Sequence, residues 1–293
     1  MTTRIAQRVL VGLGFCVLAA ASMALAAGER DYALTDRTTS QRTLRFGTGD
    51  RRLDVRLVSG AIRVTRSQGN DGSLEVRRTV RADTAADLAR GRQDVELAVH
   101  DGAGTVSAVV EGPDPACGTR GNYRGSWQQS YDVTFDLDVS VPAGTALRLC
   151  TINGGDITID GTTGDFDVAN VNGGIRLSDV RGSGSARTVN GGITASLLDS
   201  PRQDATFKTV NGDVVVTWPA RLDASLRLRT KNGGLFTDFD VTPDRVPPAT
   251  GSRNADGLFV LKTNQHAAVR VGNGGPTVTL ETLNGDVRVL RGR

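Results

Sequence analysis

The chain holds two histidines, His100 and His266. Acyl transfer or hydrolysis through a His-based dyad or triad needs a histidine beside a nucleophile and an orienting acid. His100 precedes the turn pair Asp101-Gly102, and His266 stands between Gln265 and Ala267. Neither has the required company, and both read as incidental. Metal chemistry is no better represented, because the chain has no CxxC, no HExxH and no EF-hand loop. Asp156, Asp213 and Asp286 stand beside glycines in "NGGD" and "NGD". That composition is shared with calcium-binding glycine-rich coils, but the spacing is not, and a turn carboxylate is the plainer reading. The Asn-Gly stretches are not phosphate loops: no Lys-Ser/Thr follows them and no helix opens after them. No catalytic residue, metal ligand or cofactor is expected.

Residues suited to binding are better placed. Arg187, Lys208, Arg227 and Arg229 precede successive copies of a repeated Asn-Gly corner, and Arg148 extends the series. If the repeats stack, these cations line up as a basic stripe able to attract an anionic polysaccharide, lipopolysaccharide phosphate or a wall polymer. The bland alternative is a solvated face with ordinary charges. Tyr123, Trp127 and Tyr131 lie in or beside the loop "GPDPACGTRGNYRGSWQQSY", the one place where aromatics gather to stack on a sugar. The loop is therefore the second candidate contact site.

The elements that position these residues follow from the repeat. Aligned on asparagine, the corners fall at Asn153, Asn172, Asn190, Asn211 and Asn232, at intervals of 19, 18, 21 and 21, with a further copy at Asn284. Four residues before the asparagine stand Leu149, Val168, Ala186, Phe207, Leu228 and Leu280. Three after stand Ile175, Ile193, Val214, Leu235 and Val287; one extra glycine shifts this place to Ile157 in the first copy. Apolar columns step by two, with polar columns between, as in strands with one buried face. The same template finds Ser59 and Asn264 without the Asn-Gly signature.

A period of this length holds two short strands and two turns. Asn-Gly supplies one turn, since both residues tolerate positive φ. Two architectures fit. Each period is one rung of a β-solenoid whose apolar columns stack into a continuous core, or Asn-Gly closes hairpins in a long antiparallel meander. A meander leaves its apolar face needing a cover that the remaining sequence hardly supplies, so the all-β solenoid is favoured. The asparagines, and the threonines two residues before most of them, then read as corner chemistry, bonded along the stack as side-chain ladders are.

Residues 1–26 read as a secretory signal. Arg4 and Arg8 precede an apolar run from Val9 to Ala21, and Ala24-Leu25-Ala26 places small residues before a cleavage point at Ala27. Lipidation at Cys16 is disfavoured by Phe15 before it. Removing Arg4 and Arg8 from the 35 basic residues leaves 33 against 32 acidic ones, which gives no support to nucleic-acid binding. No later apolar run is long enough to span a membrane. An N-terminal segment, 27–52, precedes a repeat domain at 53–290, interrupted by an insertion at about 82–130. The insertion carries a short helix, with Thr84 as N-cap and Asp87 in the first turn, ending near Gly91. Cys117 and Cys150 are the two cysteines left after export. Such an isolated pair favours a disulfide over two free thiols. Cys150 stands in an outward column, placed to pin the Cys117 loop to the outside of the coil.

The stretch "VPAGTALRLCTINGGDITIDGTTGDFDVANVNGGIRLSDV", with the later "TVNGDVVV" and "TLNGDVRV", resembles a bacterial family of adhesin-like envelope proteins built from β-strand repeats. It is a domain of unknown function, related in style to the β-helix-like toastrack domains of envelope-stress systems. The resemblance implies a β-solenoid-like fold and an exported protein, periplasmic or at the cell surface. It supplies no catalytic residues. The long Cys117 loop and the 32-residue interval between Asn232 and Asn264 depart from the pattern. The expected function is a non-enzymatic scaffold for adhesion, or for binding an anionic polymer or protein partner. The alternatives are a polysaccharide lyase or hydrolase on a β-helix, and a sensor domain of an envelope-stress system.

Overall fold

A computed structural model describes residues 31–47, 49–102, 104–119, 129–244, 250–253, 259–262 and 266–292, the backbone alone at 250–253 and 259–262. The signal segment, Asn264, and the loop residues Tyr123 and Trp127 lie outside the described residues.

Strands dominate. The first part of the chain forms β1 (Leu34–Arg45), β2 (Arg52–Arg56), β3 (Ile62–Arg66) and β4 (Asp71–Ala82), then helix α1 (Ala85–Asp94). Next come β5 (Glu96–Asp101), β6 (Thr105–Glu111), β7 (Tyr131–Val141), β8 (Ala146–Cys150), β9 (Ile157–Asp160), β10 (Phe166–Ala169), β11 (Ile175–Val180), β12 (Gly184–Arg187), β13 (Ile193–Leu197), β14 (Ala205–Lys208) and β15 (Val214–Trp218). The chain closes with β16 (Ala224–Asn232), β17 (Leu235–Thr237), β18 (Val241–Pro243), β19 (Thr250–Arg253), β20 (Phe259–Lys262), β21 (His266–Val271), β22 (Thr277–Asn284) and β23 (Val287–Arg291).

The strand before each Asn-Gly corner lies in one sheet and the strand after it in the other. Corner-flanking strands such as β8 and β9 pair with their counterparts in the next rung, in parallel and in repeat register: Leu149 faces Val168, and Ile157 faces Ile175. No Asn-Gly pair at these corners closes a hairpin, so the meander is excluded and the chain is a β-solenoid of two facing sheets. Inward residues of both sheets meet in one core. Packing is balanced across rungs. Gly184 and Ala186 are small because Phe166 and Phe207, on the strands either side, lean over them with ring centroids 6.3 Å apart. Phe207 in turn meets Trp218 edge-on at 6.1 Å, a favoured aromatic geometry.

Stacking order departs from chain order at both ends. The sheets run β1-β4-β7-β3-β9-β11-β13-β15-β23-β17-β20-β19 and β18-β21-β16-β22-β14-β12-β10-β8-β2-β6-β5. The rung β2–β3 is therefore flanked by β6–β7 and β8–β9. The last rung, β22–β23, is inserted between β14–β15 and β16–β17. The copy around Asn264 joins the stack running backward, with β20 and β21 antiparallel to β17 and β16. Its inward parity holds, since Ala267, Val269 and Val271 are buried.

The corners are ladders of side chains. Each asparagine donates its side-chain N–H to the asparagine oxygen of the rung before: Asn172 to Asn153, Asn190 to Asn172, Asn211 to Asn190, Asn284 to Asn211 and Asn232 to Asn284, all at 2.7–2.8 Å. Behind them the threonine hydroxyls donate to glycine carbonyls, as Thr188 does to Gly173 and Thr282 to Gly212, both at 2.8 Å. Asn170 takes this place in its own rung and donates to Gly155 at 2.9 Å. Gly191, Gly212 and Gly285 adopt φ of +155°, +141° and +148°. A Cβ at any of them would collide with the glycine carbonyl of the adjacent rung. Asparagine and glycine are thus demanded separately, one by the ladder and one by the close approach.

Helix α1 starts as expected: Thr84 accepts from the Asp87 backbone N–H at 3.1 Å. It runs on to Asp94 and does not end near Gly91. Gly91 is buried, and a Cβ there would come within 2.9 Å of Val80 and 3.0 Å of Tyr131. The glycine serves close packing of the helix on β4 and β7. Arg78 then satisfies late helix carbonyls, donating to Gly91 at 3.0 Å and Arg92 at 2.7 Å.

Candidate functional site

Strand alternation sends every second residue of the β8-containing sheet outward. The register places Arg187 beside Lys208, Lys208 beside Glu281, and Glu281 beside Arg229. The inserted rung thus puts a carboxylate into the cation series, because the strand beside Lys208 is β22 and not β16. Glu281 is shared, 3.2 Å from Lys208 Nζ and 3.5 Å from Arg229 Nη1. Arg187 sits 3.3 Å from Asp167 on the other flank. Arg148 stands between Asp54 and Asp167 in register.

Arg227 occupies the next outward position, beside Thr279 and Ala268. Arg270, on the reversed strand β21, is exposed beside Ser225 and Thr242. Among the described residues neither forms an ion pair. Across β14, β22, β16 and β21 the outward face thus carries five cations, Lys208, Arg227, Arg229, Lys231 and Arg270, against, among the described residues of these strands, the single carboxylate of Glu281. Neighbouring strands lie about 4.8 Å apart, so the patch spans roughly 15 Å. Arg270 was not visible from the repeat template, because its rung runs backward.

The other candidates are accounted for by the fold. Asp156 accepts from the Gly174 backbone N–H at 2.7 Å, Asp213 from Asp286 at 2.8 Å, and Asp286 from Gly234 at 2.9 Å. These carboxylates tie one rung to the next. Among the described residues no three His, Cys, Asp or Glu side chains are grouped to hold a metal ion. His100 is exposed at the end of β5, opposite Ser107, and His266 is exposed at the start of β21, opposite Arg229. They lie in separate strands, and His100 has the hydroxyl residue Ser107 opposite it in register.

Cys117 and Cys150 form a disulfide, with Cα atoms 5.5 Å apart. Cys150 faces outward beside Arg56, while Cys117 is buried and donates its backbone N–H to Leu57 at 3.0 Å. The loop start is folded into the corner stack and does not merely rest on the outside.

One surface had no signal in the sequence. At the end of the stack nearest α1, a cleft of about 470 Å³ opens between β1 and β5, lined by Leu74, Val76, Leu97, Val99 and Phe135. Arg42 bridges its two walls, 3.2 Å from Asp101. Among the described residues no helix is long and apolar enough to cross a membrane.

Comparison with known proteins gives a family. No curated protein matches the chain. Among solved structures, a candidate cell adhesion protein from Clostridium sporogenes is 8% identical, covers 88% of this chain and 100% of its own, and superposes with a TM-score of 0.42. A candidate adhesin from Bacteroides fragilis is 11% identical, covering 87% of this chain and 97% of its own, with a TM-score of 0.36. A candidate lipid binding protein from Parabacteroides distasonis is 11% identical, covering 86% and 96%, with a TM-score of 0.26. The family model Toastrack DUF4097 matches residues 94–290, most of the solenoid from α1 to the last strand. The chain belongs to the Toastrack DUF4097 family.

Proposed function

We propose that this protein is an exported, non-enzymatic scaffold that binds an anionic polymer of the cell envelope on the outward face of β14, β22, β16 and β21. The observation that carries the reading is the five-to-one excess of cations over carboxylates among the described residues of this patch, in a chain with almost no net charge after the signal segment. A charge excess confined to one face favours an extended anion over a general electrostatic attraction. The stacked rungs hold the cations at fixed lateral spacing, so little ordering remains to be done on binding.

The test is co-sedimentation of the protein from Ala27 onward with isolated envelope and with a purified anionic polysaccharide, across a salt series. Binding should weaken as salt rises. Arg227→Glu with Arg270→Glu should abolish it, since neither arginine has an ion-pair partner to lose among the described residues. Arg63→Glu, on the other sheet, should leave it intact. Binding unchanged in the double variant would overturn the reading.

A further inference from the structure

Asn-Gly is the dipeptide most prone to spontaneous deamidation in unfolded chains. The backbone nitrogen after the asparagine attacks Cγ, the bond to Nδ2 breaks, and ammonia leaves carrying the proton given up by that nitrogen. Water then opens the cyclic imide to aspartate or isoaspartate. The attack needs the glycine N–H to be free, because a hydrogen-bonded amide is held in place and its proton is less available.

The solenoid stacks several such pairs and treats one differently. The Gly173 backbone N–H donates to Asn190, Gly191 to Asn211, Gly212 to Asn284 and Gly285 to Asn232, at 2.9–3.0 Å. In these four corners the would-be nucleophile is engaged by the next rung. The corner between β8 and β9 has six residues, 151–156, where those after β10, β12 and β14 have five. The additional glycine bulges the chain, and Gly154 takes φ of +78°, far from the values at Gly191, Gly212 and Gly285. Among the described residues its N–H makes no hydrogen bond. Asn153 meanwhile accepts from Asn172 at 2.7 Å, so the ladder begins on this residue. Residues 263–265 lie outside the described residues, so Asn232 does not enter the comparison.

We propose that Asn153-Gly154 is a site of spontaneous deamidation selected by the fold from among sequence-equivalent Asn-Gly pairs. Conversion places a carboxylate, or an isoaspartate with a longer main chain, at the first step of the ladder. The modification marks the age of the folded protein at one position.

The experiment is incubation of the purified protein at mildly alkaline pH, then digestion and mass spectrometry of asparagine, aspartate and isoaspartate at each pair. One engaged hydrogen bond makes about an order of magnitude in rate, so Asn153 should convert at least that much faster than Asn172, Asn190, Asn211 and Asn284. In denaturant the five should convert alike. Deleting Gly155, with the fold checked by its melting transition, should slow Asn153 to the rate of the others. Equal rates in the folded protein, or any engaged pair outrunning Asn153, would overturn the proposal.

Discussion

Asn284 donates its side-chain amide to Asn211, 73 residues earlier in the chain, at 2.7 Å. The bond joins the inserted last rung to the middle of the stack. Asn211 also donates to Asn190 at 2.8 Å. Asn211→Ala therefore removes two hydrogen bonds, and stability should fall by about 1–2 kcal/mol. Val189→Ala, an exposed change in the neighbouring corner, should stay within about 0.5 kcal/mol of the parent. Urea unfolding midpoints compare the two.

Gly91→Ala should destabilise the protein although alanine is the better helix former. The propensity gain is about 1 kcal/mol. The added methyl meets Val80 and Tyr131 at 2.9–3.0 Å, and overpacking of this kind typically costs about 1–3 kcal/mol. A thermal melt at or above that of the parent would show that α1 can lift from the sheet without loss.

The Cys117–Cys150 disulfide closes a loop of 33 residues. Chain-entropy arguments give such a loop about 3–4 kcal/mol of stabilisation. Cys150→Ser, compared with the oxidised parent in urea, should show a loss of this order. The parent under reducing conditions should fall to the same midpoint.

Tyr131 is buried and donates to Asp94 at 2.8 Å. Desolvation first, and then the Asp94 bond, push its pKa up to about 12 from an ordinary value near 10. The folded state holds the proton more tightly than the unfolded chain does. The stabilisation is therefore complete below pH 10 and is lost as pH rises from about 10 to 12. Urea midpoints measured across that window should drop in the parent, with a shallower drop in Tyr131→Phe.

The period, the inward columns and the corners were legible because each is a local demand repeated in every rung. The stacking order was not legible, for the same reason. Thr209-Val210-Asn211-Gly212 and Thr230-Lys231-Asn232-Gly233 present the same threonine, asparagine and glycine columns to Thr282-Leu283-Asn284-Gly285. Nothing in a repeated word says which copy is its neighbour. The place of Glu281 among the cations depends wholly on that order, so the stripe read from Arg187, Lys208, Arg227 and Arg229 lacked its acid. Strand β1 was missed for another reason. It is an edge strand, exposed along most of its length, and carries no apolar alternation to read. Gly91 looked like a helix stop because glycine ends helices more often than it lines their packed face.

The insertion of β22–β23 gives the C-terminus an architectural office. Until residues 277–291 arrive, β14 and β16 each present an open edge where the final rung belongs, and their matching threonine and asparagine columns allow them to zip to one another. That premature closure would shut out the rung whose side chains span the gap. A chain that folds from its N-terminal end meets this hazard last. The closing strands act as a keystone, and the vault stands only once residues 277–291 are in place.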